Sequence, residues 1–252
     1  MSKHQFSIKN VLRATLGHFG YSLSKDFYPD FEAGFRTMQP AIKAFTMTGL
    51  LNQYAMYKAV EYIEKHRIEG DIVECGVWKG GVMMLGALTL QEFGDTDRSL
   101  YLYDTYAGMS QPTAFDVTLT GWNASDRWQR LKRGIGSDWC EAPLVEVQEN
   151  MRTTGYPEAK VHYIVGKVED TIPQDIPERI AILRLDTDFY ESTKHELIHL
   201  FPRLTRGGVL IVDDYGHWKG SARAVDEYFK EYNVKVFLNR IDYAARLAIK
   251  ID

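Results

Sequence analysis

The sequence has few cysteines, no long hydrophobic run and little excess of charge. Two of its 252 residues are cysteine, Cys75 in an apolar stretch and Cys140 in a distant polar one, which argues against a disulfide framework. No apolar run approaches the roughly 20 residues of a membrane-spanning helix, and no cleavable signal pattern opens the chain. A net charge of -4 gives no broad basic footprint for nucleic acid or an anionic membrane. We therefore expect a cytoplasmic protein without stable membrane insertion, whose partners are small molecules or protein.

The remaining composition fits one α/β domain. Hydrophobic residues make up 45% of the chain, and no break in composition divides it. Short apolar runs alternate with helical patterns, which predicts a doubly wound, mostly parallel sheet of Rossmann-like type with an antiparallel hairpin at its C-terminal edge. The seven predicted strands are 71–75, 100–104, 161–165, 180–185, 208–212, 234–238 and 246–251. The predicted helices are 48–66, 79–93, 125–133, 144–152, 192–201 and 221–231.

Two segments differ from this alternating pattern. Residues 1–40 are mixed and interrupted by proline and glycine, so we predict an N-terminal helical arm or lid, followed by the main domain over 41–252. Within the arm, the amphipathic stretch 11–23 predicts a helix that docks on the domain or on a second subunit of a homo-oligomer, with contact to a membrane surface as the less favoured alternative. The connection 105–158 is rich in tryptophan and too long for a bare loop, which predicts a substrate-shaping insertion.

Residues 70–81, GDIVECGVWKGG, predict a strand, a glycine-rich turn and the start of a helix. Such a turn presents backbone N–H groups at a helix N-terminus, where a nucleotide or nucleoside can dock. The spacing of Gly76, Gly80 and Gly81 is not the G-x-G-x-x-G of dinucleotide sites. A nicotinamide cofactor is therefore disfavoured and stays open as an alternative.

Two acids accompany this turn. Glu74 ends the first strand, where its carboxylate would repel a pyrophosphate and attract a cationic ligand such as S-adenosylmethionine, which carries a sulfonium and an ammonium. Asp104 ends the second strand, where an acid commonly accepts hydrogen bonds from a ribose diol. A turn or cap is the alternative role for Asp104. Together with the glycine turn, Asp104 favours a nucleoside site.

Four aspartates follow two later strands. Asp186 and Asp188 come after the fourth strand, and Asp213 and Asp214 come after the fifth. Ligands of open α/β sheets bind outside the carboxyl ends of strands, and neighbouring strands lie about 4.8 Å apart. The four carboxylates would therefore share one rim, where a cation such as Mg²⁺ would offset their repulsion. The alternative is that each aspartate only caps a helix or turn.

The H-E-x-x-H pattern of zinc proteases also occurs, at His195, Glu196 and His199. The sequence offers no convincing third zinc ligand, and the stretch lies in a short amphipathic helix. We interpret it as two imidazoles on a surface helix.

With these residues in view, the chain resembles the TylF-type (macrocin) O-methyltransferases, which methylate sugar hydroxyls of natural products. The resemblance covers roughly residues 45–229. It rests on TMTG at 46–49, ECGVWKGG at 74–81, DTYAGM at 104–109, EDTIP at 169–173, LRLDTDFYEST at 183–193 and GGVLIVDDY at 207–215.

The resemblance implies a class I methyltransferase fold, S-adenosylmethionine as donor, a bound Mg²⁺ and methyl transfer to one hydroxyl of a sugar or glycoside. It implies that Asp186, Asp213 and Asp214 bind the metal. It also implies that Asp186 and Asp188 are catalytic, with Asp188 as general base. The implied donor-binding residues are Thr46, Met47, Glu74, Gly76, Val77, Gly80, Gly81, Asp104, Thr105 and Asp170, the last near the adenine.

The chain departs from the usual family pattern at a few positions. Thr187 replaces a glycine between the two aspartates, and Lys167 replaces a tryptophan before the EDTIP piece. Leu51 and Asn52 replace a basic pair. Tyr106, Trp122, Tyr215 and Trp218 are candidates for stacking on the acceptor.

Three alternative functions stay open from the sequence alone. The acceptor could be a catechol or another diol, since a catechol also presents two adjacent oxygens to a metal. The same turn could serve a nicotinamide-dependent oxidoreductase. The chain could also be a donor-binding regulatory or scaffold subunit without chemistry.

Overall fold

The computed structural model describes residues 28–134 and 136–251, and a compact unit begins at Ala33. The predicted docking helix at 11–23 lies outside these described residues. The strands are β1 (Asp71–Cys75), β2 (Leu100–Asp104), β3 (Lys132–Arg133), β4 (Gly136–Ser137), β5 (Val161–Val165), β6 (Ile180–Leu185), β7 (Leu204–Val212), β8 (Asn239–Arg240) and β9 (Arg246–Ile249). The α-helices are α1 (Ala33–Ile42), α2 (Leu50–Lys65), α3 (Gly81–Glu92), α4 (Ala124–Leu131), α5 (Leu144–Arg152), α6 (Val168–Thr171), α7 (Tyr190–Leu200) and α8 (Lys219–Glu231).

Seven strands form one sheet in the order β5-β2-β1-β6-β7-β9-β8, and β3 and β4 pair separately. The first five of these strands are parallel, and β9 and β8 are added in antiparallel orientation. The chain leaves β1 toward β2 in one direction and later continues from β6 toward β7 in the other. Because such crossovers are right-handed, the helices of the two halves cover opposite faces of the sheet. The reversal between β1 and β6 is where open α/β sheets bind ligands.

The register of the parallel strands aligns their ends. Cys75 pairs with Tyr103 on one side and with Leu185 on the other, and Leu185 pairs with Val212. The next residue of each strand or loop therefore emerges at the same edge. That edge carries the glycine turn after β1, Asp104 at the end of β2 and the acids that follow β6 and β7.

The core lies against the central strands. Strand β6 is buried at every position, and β1 at every position except its first. Strands covered by helices on both faces read as continuous apolar runs, and IAILRL in β6 fits that rule except for its arginine. Arg184 is 1% exposed in this apolar setting. A charged side chain is almost never fully buried unless it is paired, so this arginine requires buried partners.

Most predicted elements agree with the structure. The strands at 71–75, 100–104, 161–165 and 180–185 and the helix at 144–152 have the predicted bounds. Strand β7 begins four residues before the predicted 208 because Leu204 still pairs with Ile180. The first arm of the C-terminal hairpin was predicted wrongly at 234–238, since the pairing strand is β8 at Asn239–Arg240. Val234 packs against the hydrophobic core instead, which explains its apolar character.

The N-terminal boundary of the main domain stays a prediction. Helix α1 begins inside the predicted arm 1–40, and its Phe35 and Ile42 are buried. Phe35 packs edge-on against Tyr54 of α2, with 5.2 Å between ring centroids. None of the helices between residues 28 and 251 is both long and apolar enough to cross a membrane.

Candidate active site

A cleft of about 400 Å³ opens at the carboxyl edge of the sheet, beside the reversal between β1 and β6. Most of the residues predicted to bind donor or metal meet there. Those that line the cleft are Thr46, Met47, Glu74, Gly76, Val77, Asp104, Thr105, Asp186, Asp188, Asp213 and Asp214. Gly80, Gly81 and Asp170 are not among the described lining residues. Asp170 lies on the short helix α6 with an exposed side chain.

The glycine turn is packed directly against the segment that follows β6. Gly76 has φ 81°, and a Cβ there would lie 2.1 Å from the backbone oxygen of Asp186. Only glycine allows this approach, so the glycine turn and the acidic segment come together through their backbones. Gly80 caps α3 with φ 84°, and Gly81 begins that helix. A Cβ on Gly81 would lie 2.5 Å from the backbone oxygen of Phe45.

Asp104 holds the glycine turn in shape. Its Oδ2 accepts hydrogen bonds from the backbone N–H groups of Val77 (2.8 Å) and Trp78 (3.1 Å). Its Oδ1 accepts one from the N–H of Tyr106 at 2.8 Å. Burial raises the pKa of Asp104, and these backbone hydrogen bonds oppose the rise. The sequence predicted free N–H groups at this turn, and two of them are instead bound by a carboxylate.

Arg184 is the main functional residue that sequence reasoning missed. Its Nη1 donates to Glu74 Oε1 at 2.5 Å and to Asp186 Oδ2 at 2.6 Å. Its Nη2 donates to Asp213 Oδ1 at 2.5 Å and to Thr48 Oγ1 at 3.1 Å. A charged residue inside the apolar run IAILRL, two positions before Asp186, was the available signal. The guanidinium therefore joins Glu74, which lies just before the glycine turn, to Asp186 and Asp213 of the predicted metal site.

Glu74 lines the cleft but is bound to protein on one side. While Oε1 pairs with Arg184, the buried Oε2 has no hydrogen-bond partner in the described chain. Burial is the largest influence on Glu74 and raises its pKa to about 7, although Arg184 acts in the opposite direction. One oxygen therefore remains for a ligand in the cleft.

Asp186, Asp213 and Asp214 form the predicted acidic cluster. One ligand atom from each lies within 4.8 Å of the others. The Oδ2 atom of Asp214 is buried without a partner, and Asn52 Nδ2 donates to Asp213 Oδ1. Burial is the largest influence that raises the pKa values of Asp186 and Asp214 well above the usual range; neighbouring aspartates add to both rises, and Arg184 opposes the rise at Asp186. Hard oxygen ligands, an unpartnered buried oxygen and excess negative charge fit a divalent cation such as Mg²⁺.

Asp188 lies next to this cluster with its carboxylate fixed by a tryptophan. Trp218 Nε1 donates to Asp188 Oδ1 at 2.6 Å. Burial raises the pKa of Asp188 to about 6, and the bond from Trp218 opposes the rise. The carboxylate therefore stays ionised at neutral pH and can accept a proton.

Aromatic side chains are among the residues that line the cleft. Trp139, His217 and Tyr243 line it. The four stacking candidates Tyr106, Trp122, Tyr215 and Trp218 are absent from the described lining residues. Tyr106 is buried, and its hydroxyl donates a hydrogen bond to the backbone oxygen of Leu102. The indole N–H of Trp218 donates to Asp188. Sequence reasoning missed Trp139 because nothing in its flanking residues separates it from packing tryptophans.

The H-E-x-x-H helix, α7, directs its glutamate into the core. Glu196 is 0% exposed and its Oε1 accepts a hydrogen bond from Thr187 Oγ1 at 2.9 Å. His195 Nε2 lies 3.0 Å from the backbone oxygen of Ile172. The one cluster of three or more possible metal ligands that the described residues contain is the Asp186 cluster.

Replacing Glu196 by glutamine should make the protein more stable, increasingly so at higher pH. Burial raises the pKa of Glu196 well above that of an exposed glutamate, and Glu169 adds to the rise, while hydrogen bonds from Thr187 and Cys75 oppose it. The folded wild type therefore binds more protons than the unfolded chain above about pH 5, so its free energy of unfolding falls as pH rises. In the Glu196→Gln variant the glutamine does not titrate, so this decrease in the free energy of unfolding is absent. Urea unfolding of both proteins between about pH 5 and pH 8 measures the difference, and a constant difference would contradict the assignment.

A family model described as Macrocin-O-methyltransferase (TylF) matches residues 6–248. The chain is 34% identical over 199 residues to the 8-demethyl-8-(2,3-dimethoxy-alpha-L-rhamnosyl)-tetracenomycin-C 4'-O-methyltransferase of Streptomyces olivaceus, covering 79% of this chain and 73% of that one. It is 30% identical over 199 residues to the Mycinamicin III 3''-O-methyltransferase of Micromonospora griseorubida, covering 79% and 76%.

A solved structure has the same overall arrangement. The O-methyltransferase NovP superposes with a TM-score of 0.72 at 31% sequence identity, and the match covers 82% of this chain and 83% of NovP.

Proposed function

The chain belongs to the TylF family of macrocin O-methyltransferases, and on that premise we propose that it methylates one hydroxyl of a sugar diol within a glycoside, with a divalent cation at the acidic cluster. Family membership and the structural likeness confirm the predicted class I methyltransferase fold. They also confirm the prediction of an S-adenosylmethionine-dependent O-methyltransferase.

The observation that carries the proposal is the meeting of two groups of residues in one cleft. The glycine turn with Glu74 and Asp104 forms one side, and the cluster of Asp186, Asp213 and Asp214 forms another. A methyl donor and an acceptor hydroxyl have to meet within bonding distance, so both sites need to open into a shared cavity. The relatives named for transfer to a rhamnosyl 4'-oxygen and to a 3''-oxygen support a sugar acceptor.

The acidic cluster would hold the cation through carboxylate oxygens. A divalent ion bound there would lower the pKa of a coordinated sugar hydroxyl. Arg184 occupies one oxygen each of Asp186 and Asp213, and it fixes the directions of both carboxylates before any ligand arrives. The unpartnered Oδ2 of Asp214 is the oxygen best prepared for a cation.

Asp188 is the residue that we assign to proton removal. Its carboxylate would accept the hydroxyl proton as the acceptor oxygen attacks the methyl group and the bond from that methyl to sulfur breaks. The hydrogen bond from Trp218 to Oδ1 limits rotation of the carboxylate, and Asp214 is a second hydrogen-bond partner of Asp188. A pKa of about 6 keeps the base ionised and still basic enough for the transfer.

The donor would lie along the glycine turn. We assign the free oxygen of Glu74 to the methionine end, because a buried carboxylate oxygen without a partner suits an ammonium group. Asp104 would accept from the ribose through lone pairs that its backbone bonds leave free. Thr46, Met47 and Thr105 would complete the walls, and Asp170 would approach the adenine edge from outside the cleft lining.

The acceptor side is aromatic. Trp139, which lines the cleft together with His217 and Tyr243, would pack against the C–H face of a sugar ring. We further propose a cytoplasmic location, since both cysteines are free thiols, and a homo-oligomeric state.

A screen of small acceptors with and without metal tests the proposed function. We expect transfer of the labelled methyl group from S-adenosylmethionine to glycosides that carry a vicinal diol, and none to matched deoxy analogues that lack one of the two hydroxyls. EDTA should reduce turnover by on the order of 10²-fold or more, and Mg²⁺ should restore it. Catechol is the comparison acceptor.

The Asp213→Ala/Asp214→Ala variant provides the second arm of this test. It should bind S-adenosylhomocysteine and transfer no methyl group to the same glycosides. Undiminished turnover of that variant, or of the EDTA-treated enzyme, would refute the metal assignment. Preferred methylation of catechol would refute the sugar acceptor.

A further inference from the structure

The segment 186–188 carries both a proposed metal ligand and the proposed base, in an uncommon backbone conformation. Asp188 has φ 67°, a left-handed value that residues with a side chain rarely adopt. Such a conformation persists only where surrounding contacts hold it in place. The bond from Trp218 fixes the carboxylate of Asp188, and the backbone needs separate support.

Thr187 is bound through both its backbone and its side chain. Its carbonyl oxygen accepts from Phe189 N–H at 2.8 Å. Its hydroxyl donates to Glu196 Oε1 on helix α7 at 2.9 Å. Directly before it, Asp186 N–H donates to the backbone oxygen of Cys75 at 2.8 Å. The Cys75 thiol in turn lies next to Glu196. Burial is the largest influence that raises the pKa of this thiol, and the charge of Glu196 raises it further. These contacts tie the segment to the end of β1 and to α7.

Glu196 is unfavourable for stability in the place where it lies. It is fully buried between core positions of α7, and within the described chain no cation pairs with it. Its Oε2 has no hydrogen-bond partner. An apolar side chain of similar size would avoid this desolvation, so the carboxyl group calls for a role other than packing.

We propose that the hydrogen bond between Thr187 and Glu196 is a brace that holds segment 186–188 and thereby aims the Asp188 carboxylate into the cleft. Both are positioning residues, since they act through Asp188 and Asp186. The brace also gives the glutamate of the H-E-x-x-H pattern a function inside the fold. Its effect on turnover depends on the function proposed above, whereas its effect on the position of Asp188 follows from the contacts alone.

The indole N–H of Trp218 reports directly on the position of Asp188. In protein with ¹⁵N-labelled tryptophan, the Trp218→Phe variant identifies the Trp218 signal among the five tryptophans. A strong hydrogen bond to a carboxylate moves this proton downfield. We expect an upfield shift in Thr187→Val and in Glu196→Leu, which both remove the brace. Thr187→Ser and Glu196→Gln keep a donor and an acceptor, and should leave the signal unchanged.

The double variant Thr187→Val/Glu196→Leu decides whether the two residues act as one unit. Because both single substitutions remove the same bond, the double variant should shift the signal no further than either single variant. A signal that stays in place in the folded Thr187→Val variant overturns the proposal. Shifts that add in the double variant overturn it as well. Thermal melting tests whether each variant is folded. If Glu196→Leu does not fold, the Trp218 signal of Thr187→Val alone decides the outcome.

Mn²⁺ binding, followed by electron paramagnetic resonance, gives a second readout without acceptor or donor. Since Asp186 is part of the braced segment, Thr187→Val should weaken Mn²⁺ binding by on the order of 10-fold, and Thr187→Ser should bind like the wild type. If the wild type binds no Mn²⁺ and methylates no glycoside, the proposed function fails and the Trp218 signal still tests the brace. If the wild type binds Mn²⁺ and Thr187→Val matches it in both readouts, the brace alone fails.

Discussion

Replacing Arg184 by methionine should lower the free energy of unfolding by about 3–5 kcal/mol. The substitution leaves Glu74, Asp186 and Asp213 without the guanidinium that each of them contacts within 2.6 Å. Removing one partner of a buried ion pair is strongly destabilising because the remaining charge stays uncompensated. Urea unfolding at neutral pH in the absence of divalent ions measures the loss.

Arg184→Lys is the matched control. Lysine keeps the positive charge but lacks the planar guanidinium group that contacts acids on two sides. The free energy of unfolding of Arg184→Lys should therefore lie between those of the wild type and Arg184→Met. A fully stable Arg184→Met variant would mean that the three carboxyl groups are neutral in the folded protein. The double variant Arg184→Met/Glu74→Gln should recover part of the loss, because it removes the most deeply buried of the three acids.

Replacing Asp188 by asparagine should lower kcat by on the order of 10²–10⁴-fold. The amide has nearly the same size as the carboxylate and can still accept the bond from Trp218, so the substitution removes the proposed base and little else. Binding of S-adenosylhomocysteine, measured by calorimetry, should stay within about threefold of the wild type, because Asp188 is not among the predicted donor contacts.

Trp218→Phe separates proton removal from positioning of the base. It leaves the carboxylate of Asp188 and removes the indole donor at 2.6 Å, so kcat should fall much less than in Asp188→Asn, on the order of 10-fold. An Asp188→Asn enzyme with wild-type kcat on the same glycoside would show that another group takes the proton.

Much of the fold could be predicted from hydrophobic periodicity. Central strands such as β1 and β6 are buried on both faces, which makes them short apolar runs with clear ends. The failure at 234–238 has the same origin, since Val234 is apolar because it packs on the core and not because it belongs to a strand. Pattern reasoning cannot separate those two reasons for burial, and β8 is only two residues long.

The site was predictable where residues follow the ends of strands. Parallel strands in register bring their next residues to one edge, so Asp186, Asp188, Asp213 and Asp214 were expected to share one rim. Two partners of Asp213 were not predictable, because Asn52 and Arg184 lie far from it in the chain and reach it only in the folded protein. The assignments of individual residues to donor, metal and proton transfer stay predictions.

The carboxylate of Asp104, which already occupies the N–H groups of Val77 and Trp78, has a consequence for selectivity in a cell. ATP and the nicotinamide dinucleotides share the adenosine portion of the methyl donor and are abundant. A phosphate chain entering this bend would meet a negative charge in place of the amide donors that cradle it in nucleotide-binding loops. With the donor at the glycine turn, as we propose, the enzyme would accept an adenosine that carries a sulfonium and repel the common phosphorylated adenosines, without any group dedicated to excluding them.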